Sequence, residues 1–285
     1  MIDPKVILMP LSTSGNVEER LNGALSVAQH FGAHLEVLHA QVSPRQFLPE
    51  DKIGIPLKLV QELEALSSRY SEASSQSLKQ TFSEFCQAHG VAMSAPGLDD
   101  AATAGWREVN GLRSELVAEY GKTADLLIIP QSKTGRPTST MQAAIMKTGK
   151  PVLLVPRTME QFPAQHALVG WNASIEGARA LSASLPLLKR AATVTIATSE
   201  QSDYHRPDGH SVVSYLAAHG IDANFVSFNT EHKSLPESFL SLSEKIGADV
   251  LVMGAFTHKM VTEQLFGGMT RYVVEHSAVP VFLSH

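Results

Sequence analysis

Thr123-Ala-Asp-Leu-Leu-Ile-Ile129 returns later in the chain as Gly247-Ala-Asp-Val-Leu-Val-Met253, and this recurrence decides the fold. Each copy sets a small residue and an aspartate before a short, wholly apolar run. Such a run fits a strand buried on both faces, as in a parallel sheet covered by helices. The match does not stand alone. Gln87-Ala-His-Gly-Val91 pairs with Ala217-Ala-His-Gly-Ile221, and Lys150-Pro-Val-Leu-Leu154 with Val279-Pro-Val-Phe-Leu283. Upstream, Lys5-Val-Ile-Leu-Met-Pro10-Leu-Ser12 corresponds to the stretch that begins at Ala167 and runs through Gly170-Trp-Asn172. Four matches in one order mark an internal duplication.

The spacing between copies is uneven. It falls from 160 residues at the first strand to 130 at His-Gly and 124 at Ala-Asp, then returns to 129. The first copy therefore carries about thirty extra residues before His89 and is about five shorter between Pro130 and Thr138. The extra segment places Leu59, Leu63, Leu66, Tyr70, Leu78, Phe82 and Phe85 at helical spacing. It predicts one long helix or two over 56–89, a lengthened crossover with a partner-binding helix as the sharper alternative.

Between the apolar runs lie amphipathic stretches. Leu21, Ala24, Leu25 and Ala28 share one helical face, as do Ala178, Leu181, Leu185 and Leu188. Strands alternating with helices give two tandem doubly wound α/β domains of five parallel strands each, over 1–158 and 164–285. The linker 158–165 is short, so the copies are expected to pack as a pseudo-twofold pair, each with its own sheet.

Composition narrows the function. The 285 residues carry a net charge of −5, with 44% hydrophobic and 18% charged residues. That balance offers no basic field for nucleic acid or an anionic membrane. No apolar run reaches a membrane span of roughly 18–20 residues, and the start of the chain reads directly into a strand, so a cytoplasmic protein is expected. Cys86, the single cysteine, falls among Phe82 and Phe85 and reads as a buried thiol. His205, Asp208 and His210 lack metal-ligand spacing. No nucleophile elbow, Walker loop or carboxylate pair is present, so no reaction chemistry is argued.

The segment that carries chemistry is Met253-Gly254-Ala-Phe-Thr257-His-Lys-Met-Val-Thr-Glu-Gln-Leu-Phe-Gly267-Gly268-Met269-Thr270-Arg271. It leaves a strand at the end where open α/β sheets bind ligands and opens a helix at about Gly268. Free N–H groups and the positive dipole end there suit phosphate. Thr270 adds a hydroxyl. This run resembles the universal stress protein family, whose pattern is Gly, two residues, Gly, nine residues, Gly, then Gly, Ser or Thr. Thr257 stands where the family has its second glycine. Asn172, in Gly170-Trp-Asn-Ala-Ser174, stands where it usually has an acid.

The resemblance implies a regulatory module of the stress response. It implies ATP or a related adenine nucleotide in the second copy, with a divalent metal only alongside the nucleotide. The family places the base between the first two strand ends. That implies Gly170, Trp171 and Asn172, the backbone of Ala197 in Thr193-Val-Thr-Ile-Ala-Thr198, and Met253, Gly254, Thr257, Gly267, Gly268, Met269 and Thr270 as the site. Trp171 either stacks on the base or plugs the pocket. In the first copy, Gly254 maps to Pro130, Gly267 and Gly268 to Thr138 and Ser139, and Asn172 to Ser12. Proline has no N–H, so no normal nucleotide site is expected there. Thr138, Ser139 and Lys133 read as a helix cap and loop rather than an anion site. The alternative reading is a scaffold of the same fold that binds no nucleotide. Weak ATP hydrolysis and pairing of two chains stay open.

Overall fold

The computed structural model describes residues 3–12, 15–41, 57–97, 101–132, 134–202, 205–230, 232–256 and 268–285. Side chains of 57, 59, 60 and 63–71 lie outside that description, as do residues 257–267, Lys133, Asp203, Asp99 and Asp100.

The first half contains β1 (Val6–Leu11), α1 (Val17–Phe31), β2 (His34–Gln41), α2 (Leu57–Ala88), β3 (Ala92–Met93), β4 (Thr103–Asn110), α3 (Arg113–Tyr120), β5 (Leu126–Pro130), α4 (Ser139–Lys147) and β6 (Val152–Val155). The second contains β7 (His166–Gly170), α5 (Ile175–Leu188), β8 (Thr193–Ser199), α6 (Gly209–Ala218), β9 (Asn224–Phe228), α7 (Leu235–Ile246), β10 (Val250–Gly254), α8 (Gly268–His276) and β11 (Val281–Ser284). Among the described residues the first half thus has six strands, not five. The extra one is the two-residue β3, parallel to β4 at the sheet edge and too short to leave a periodic signal.

Strand order is β3-β4-β2-β1-β5-β6-β11-β10-β7-β8-β9. Every pairing within a half is parallel. Between the halves, β6 and β11 pair antiparallel, Val152 opposite Leu283 and Leu154 opposite Val281. Two separate sheets are therefore not what forms. The two parallel sheets run on into one of eleven strands, and the expected pairing of the copies takes the form of a reversal of direction at this seam.

Alternation along the strands explains the two covered faces. Ile7, Met9 and Leu11 enter one buried cluster with Val250 and Val252, beneath α1, α2, α5 and α6. Leu8, Leu251 and Met253 enter the other, beneath α3, α4, α7 and α8. The inserted segment is the single helix α2. Leu78, Phe82, Phe85 and Cys86 bury its second half in the first cluster, each large side chain contributing roughly 1.5–3 kcal/mol. Burial pushes the Cys86 thiol up to about 11, so at neutral pH it is an unreactive core residue. Trp106 packs near Phe82 and stacks on His39.

The repeated aspartates do the same work twice. Asp125 accepts from the backbone N–H groups of Lys5 and Val6, at 2.9 and 3.0 Å. Asp249 accepts from those of Gln165 and His166, both at 3.0 Å. In each copy the carboxylate before the fourth helix-linked strand ties down the start of the first strand. The His-Gly repeats end α2 and α6 alike, with Gly90 and Gly220 in the left-handed region at φ 66° and 74°, where glycine carries no side-chain penalty.

Further ties cross between halves. Gln131 donates to the Ser277 carbonyl at 3.0 Å. Arg190 donates to Asp3 at 2.6 Å and to the His30 carbonyl at 3.0 Å, and lies over the Phe31 ring.

Candidate functional site

Parallel strands leave a crevice where neighbouring crossovers go to opposite faces. In the second half this falls between β7 and β10. A cavity of about 660 Å³ opens there. Its lining includes Gly170, Trp171, Asn172, Ala197, Met253, Gly254, Gly268, Met269 and Thr270. Nine of the eleven residues singled out in the sequence therefore converge. The other two, Thr257 and Gly267, lie outside the described residues.

Their individual roles differ from expectation. Gly170 is glycine for packing, because a Cβ would meet the Phe239 ring at 3.1 Å. Gly254 is glycine for packing too: a Cβ would lie 2.5 Å from the Gly177 nitrogen and 2.6 Å from the Glu176 carbonyl carbon, in the first turn of α5. Among the described residues, nothing lies within 4 Å of a would-be Cβ at Gly268.

Trp171 is buried against the α5–α6 side of the sheet, and its indole N–H donates to the Pro207 carbonyl at 2.8 Å. It is a fixed wall. The Ala197 carbonyl accepts from the Trp171 N–H at 2.8 Å, so it serves the sheet, and Ala197 offers the cavity a methyl surface. Asn172 accepts from the Ser174 N–H at 3.2 Å, holding the turn into α5. Thr270 is buried, and its hydroxyl oxygen accepts from the Phe256 N–H at 3.4 Å.

Backbone strain gathers here. Ala173 and Phe256 have φ of 56° and 63°, a region that costs an ordinary residue on the order of 1–3 kcal/mol. They follow β7 and β10, the two strands flanking the crevice.

Three helix starts meet at the cavity. Ser174 caps α5, accepting from the Gly177 N–H at 3.0 Å. Ser234 precedes α7, where Glu237 accepts from its N–H and its hydroxyl, each at 2.7 Å. Those hydrogen bonds hold the Glu237 carboxyl below the ordinary carboxylate range. The third helix, α8, begins at Gly268.

Residues that sequence reading missed complete the lining. Ser199 ends β8 and Ser202 and His205 follow it, Phe228 ends β9, Ser234 precedes α7, and Leu235, Pro236 and Phe239 belong to it. None lies in a local motif; only strand order brings them together. The described lining contains no Asp, Glu, Lys or Arg. It holds apolar surface, hydroxyls, one amide and helix-start N–H groups, and no carboxylate to ligate a metal directly. Asp208, flagged beside His205 and His210, caps α6 by accepting from the Ser211 N–H at 2.9 Å. Among the described residues no group of three His, Cys, Asp or Glu is placed to hold a metal.

The first half differs at the same point. Arg20 of α1 reaches the end of β1, donating to the Ser12 hydroxyl at 3.0 Å, the Ser12 carbonyl at 2.8 Å and the Asn16 carbonyl at 3.1 Å. Ser12 is the counterpart of Asn172, so a guanidinium occupies what is cavity in the other half. At the spacing of the first strands, Arg20 corresponds to Ala180. Thr138 caps α4, accepting from the Met141 N–H at 3.2 Å, and only about 10 Å³ of space remains beside it. One signal for Arg20 was present: it sits one residue before Leu21 and four before Ala24, on the apolar stripe of α1.

Residues 164–285 match the model of the Universal stress protein family. The whole chain superposes on a universal stress protein from Archaeoglobus fulgidus DSM 4304, with a TM-score of 0.73, 15% identity and coverage of 98% of this chain and 97% of that one. A protein of unknown function from Pseudomonas aeruginosa PAO1 gives a TM-score of 0.58 at 14% identity, covering 99% and 92%. These likenesses show the fold across both halves. A universal stress protein in complex with cAMP covers 42% of this chain and 97% of its own at 21% identity, with a TM-score of 0.33, too low to carry its ligand over. No curated protein matches the sequence. No described helix is long and apolar enough to cross a membrane.

Proposed function

We propose that the chain is a two-domain stress-response module, 1–158 and 164–285, whose second domain binds ATP or a related adenine nucleotide without a catalytic step of its own. The observation that carries this reading is Gly268. Glycine at 170 and 254 answers to packing, but at 268 no neighbour among the described residues calls for it. A bare backbone at the first turn of a helix, facing a cavity, suits the approach of a phosphate.

The cavity supports the remainder of the ligand. At about 660 Å³ it falls within the usual range for small-molecule sites, roughly 300–1,000 Å³. Phe228, Leu235, Pro236 and Phe239 offer apolar surface to a base; Asn172, Ser199 and Ser202 offer hydroxyl and amide groups to a sugar. A divalent ion would enter on the phosphates, since the described lining supplies no carboxylate.

Calorimetry with ATP on the full chain tests the reading. Saturable binding of one nucleotide per chain is expected. Gly268→Val, which has room for its side chain, is expected to weaken binding by about tenfold or more, the loss of a charge-assisted contact, while leaving the melting temperature unchanged. Absence of binding at millimolar ATP overturns the reading.

A further inference from the structure

The first half has lost the open crevice yet gathered positive charge in its place. Arg20 comes from α1, Arg113 is the first residue of α3 just after β4, and Arg157 follows β6. Arg20 is buried, and its three hydrogen bonds all go to uncharged acceptors. Arg157 donates through Nε to the Gln131 carbonyl at 2.7 Å, at the end of β5. Among the described residues its Nη1 is buried without a hydrogen-bond partner, and so is Nε of Arg113. Among the described residues, none of the three is in an ion pair. Arg157 and Arg113 lie near enough to Arg20 to help burial lower its pKa to about 10, and burial lowers that of Arg113 as well.

Buried N–H groups of a guanidinium that meet no protein acceptor are costly, and like charges brought together repel. A fold keeps such an arrangement when something else completes it. The missing element has to be an anion with several acceptor oxygens, because guanidinium forks present paired donors. The N-terminus of α3, beside Arg113, has no side-chain cap either, so its N–H groups add to the same field.

We propose that Arg20, Arg113 and Arg157 form a second ligand site, one for a phosphate-type oxyanion, at the C-terminal ends of β1, β5 and β6. The anion is either free phosphate or the phosphate end of a nucleotide. The site does not depend on nucleotide binding in the second half. It recognises charge with fixed cations, where the described lining of the other crevice holds no Lys or Arg.

The experiment uses the full chain in phosphate-free, low-salt buffer, with inorganic phosphate and ATP titrated separately by calorimetry and by thermal melting. Arg113→Gln removes no side-chain hydrogen bond made among the described residues; Arg157→Gln serves as the second variant. Phosphate is expected to bind and to raise the melting temperature. Either variant should weaken binding about tenfold to a hundredfold, the loss of one or two charge-assisted hydrogen bonds. In the absence of anion the variants should melt at or above the native temperature, since each removes a repelling charge. Gly268→Val should retain the phosphate response. If the variants reduce binding of ATP in the Gly268→Val background but free phosphate never binds, the source is a nucleotide and the site stands. If neither ligand distinguishes native protein from the arginine variants, or if the variants melt lower by the same amount with and without anion, the arginines are structural and the proposal is overturned.

Discussion

At the end of its first strand the second half leaves a space of about 660 Å³, and the first half sets a guanidinium there, bound to Ser12. The strand frame is the same, and so is the aspartate that ties it down. The difference arises from two positions: Arg20 where the copy has Ala180, and Pro130 where it has Gly254. A duplicated fold thus diverges fastest where it is least needed for its own stability, at the strand ends rather than in the strands. On the two proposed readings, what changes is the means of attracting an anion, from backbone dipoles to formal charge.

Three perturbations break or sharpen this contrast. The largest effect should come from Trp171→Ala, which deletes a buried ring and orphans the Pro207 carbonyl. A loss of about 3–5 kcal/mol is expected, read by urea unfolding. Trp106→Ala, in the first half, removes a partly buried ring and should cost less. Equal losses would mean that Trp171 is not the wall the packing makes it.

Gly254→Ala comes next. Its Cβ would press on the backbone of α5, and backbone yields poorly, so about 1–3 kcal/mol is expected. Pro130→Gly, at the matching position, should cost about 1 kcal/mol or less, mainly through the freer unfolded chain. Thermal melts of the two variants side by side decide it, and a reversed order would show that the α5 contact relaxes.

The smallest effect concerns pH. Burial holds His30 and His39 below the ordinary imidazole range, helped by Arg190 for the first and Arg113 for the second. Both lie in the first half. Their folded pKa values are depressed, so the folded state resists the proton that the unfolded chain takes up. The stability linked to them is present above the unfolded value of about 6.5 and is lost as pH falls below it toward the folded values. Amide exchange should show protection in β1 and β2 falling between neutral and mildly acidic pH, and His39→Phe should flatten that fall. No flattening would remove His39 from the account.

Much of this was legible in the sequence, for identifiable reasons. Asp125 and Asp249 announced a repeat because a strand start tied by a carboxylate demands the same short string twice. The long helix α2 showed itself through Leu78, Phe82 and Phe85 at helical spacing. The cavity was legible only where it is built from runs local in sequence, around Gly170 and Gly254. Ser199, Phe228 and Phe239 could not be found that way, since strand order alone brings them in. Gly170 and Gly254 were read only as part of a candidate site: the sequence carries no trace of the Phe239 ring or the α5 turn that exclude a side chain there. Arg20 was overlooked because one charge on an apolar stripe is easily taken for a solvated end.

The reversal of direction where β6 meets β11 has a consequence for any signal the protein carries. Strands of the two halves point opposite ways, so the arginine cluster and the glycine crevice open on opposite rims of the molecule. No single small ligand can touch both. Occupancy at either proposed site would reach the other only through the shared ladder and the side chains that clasp it.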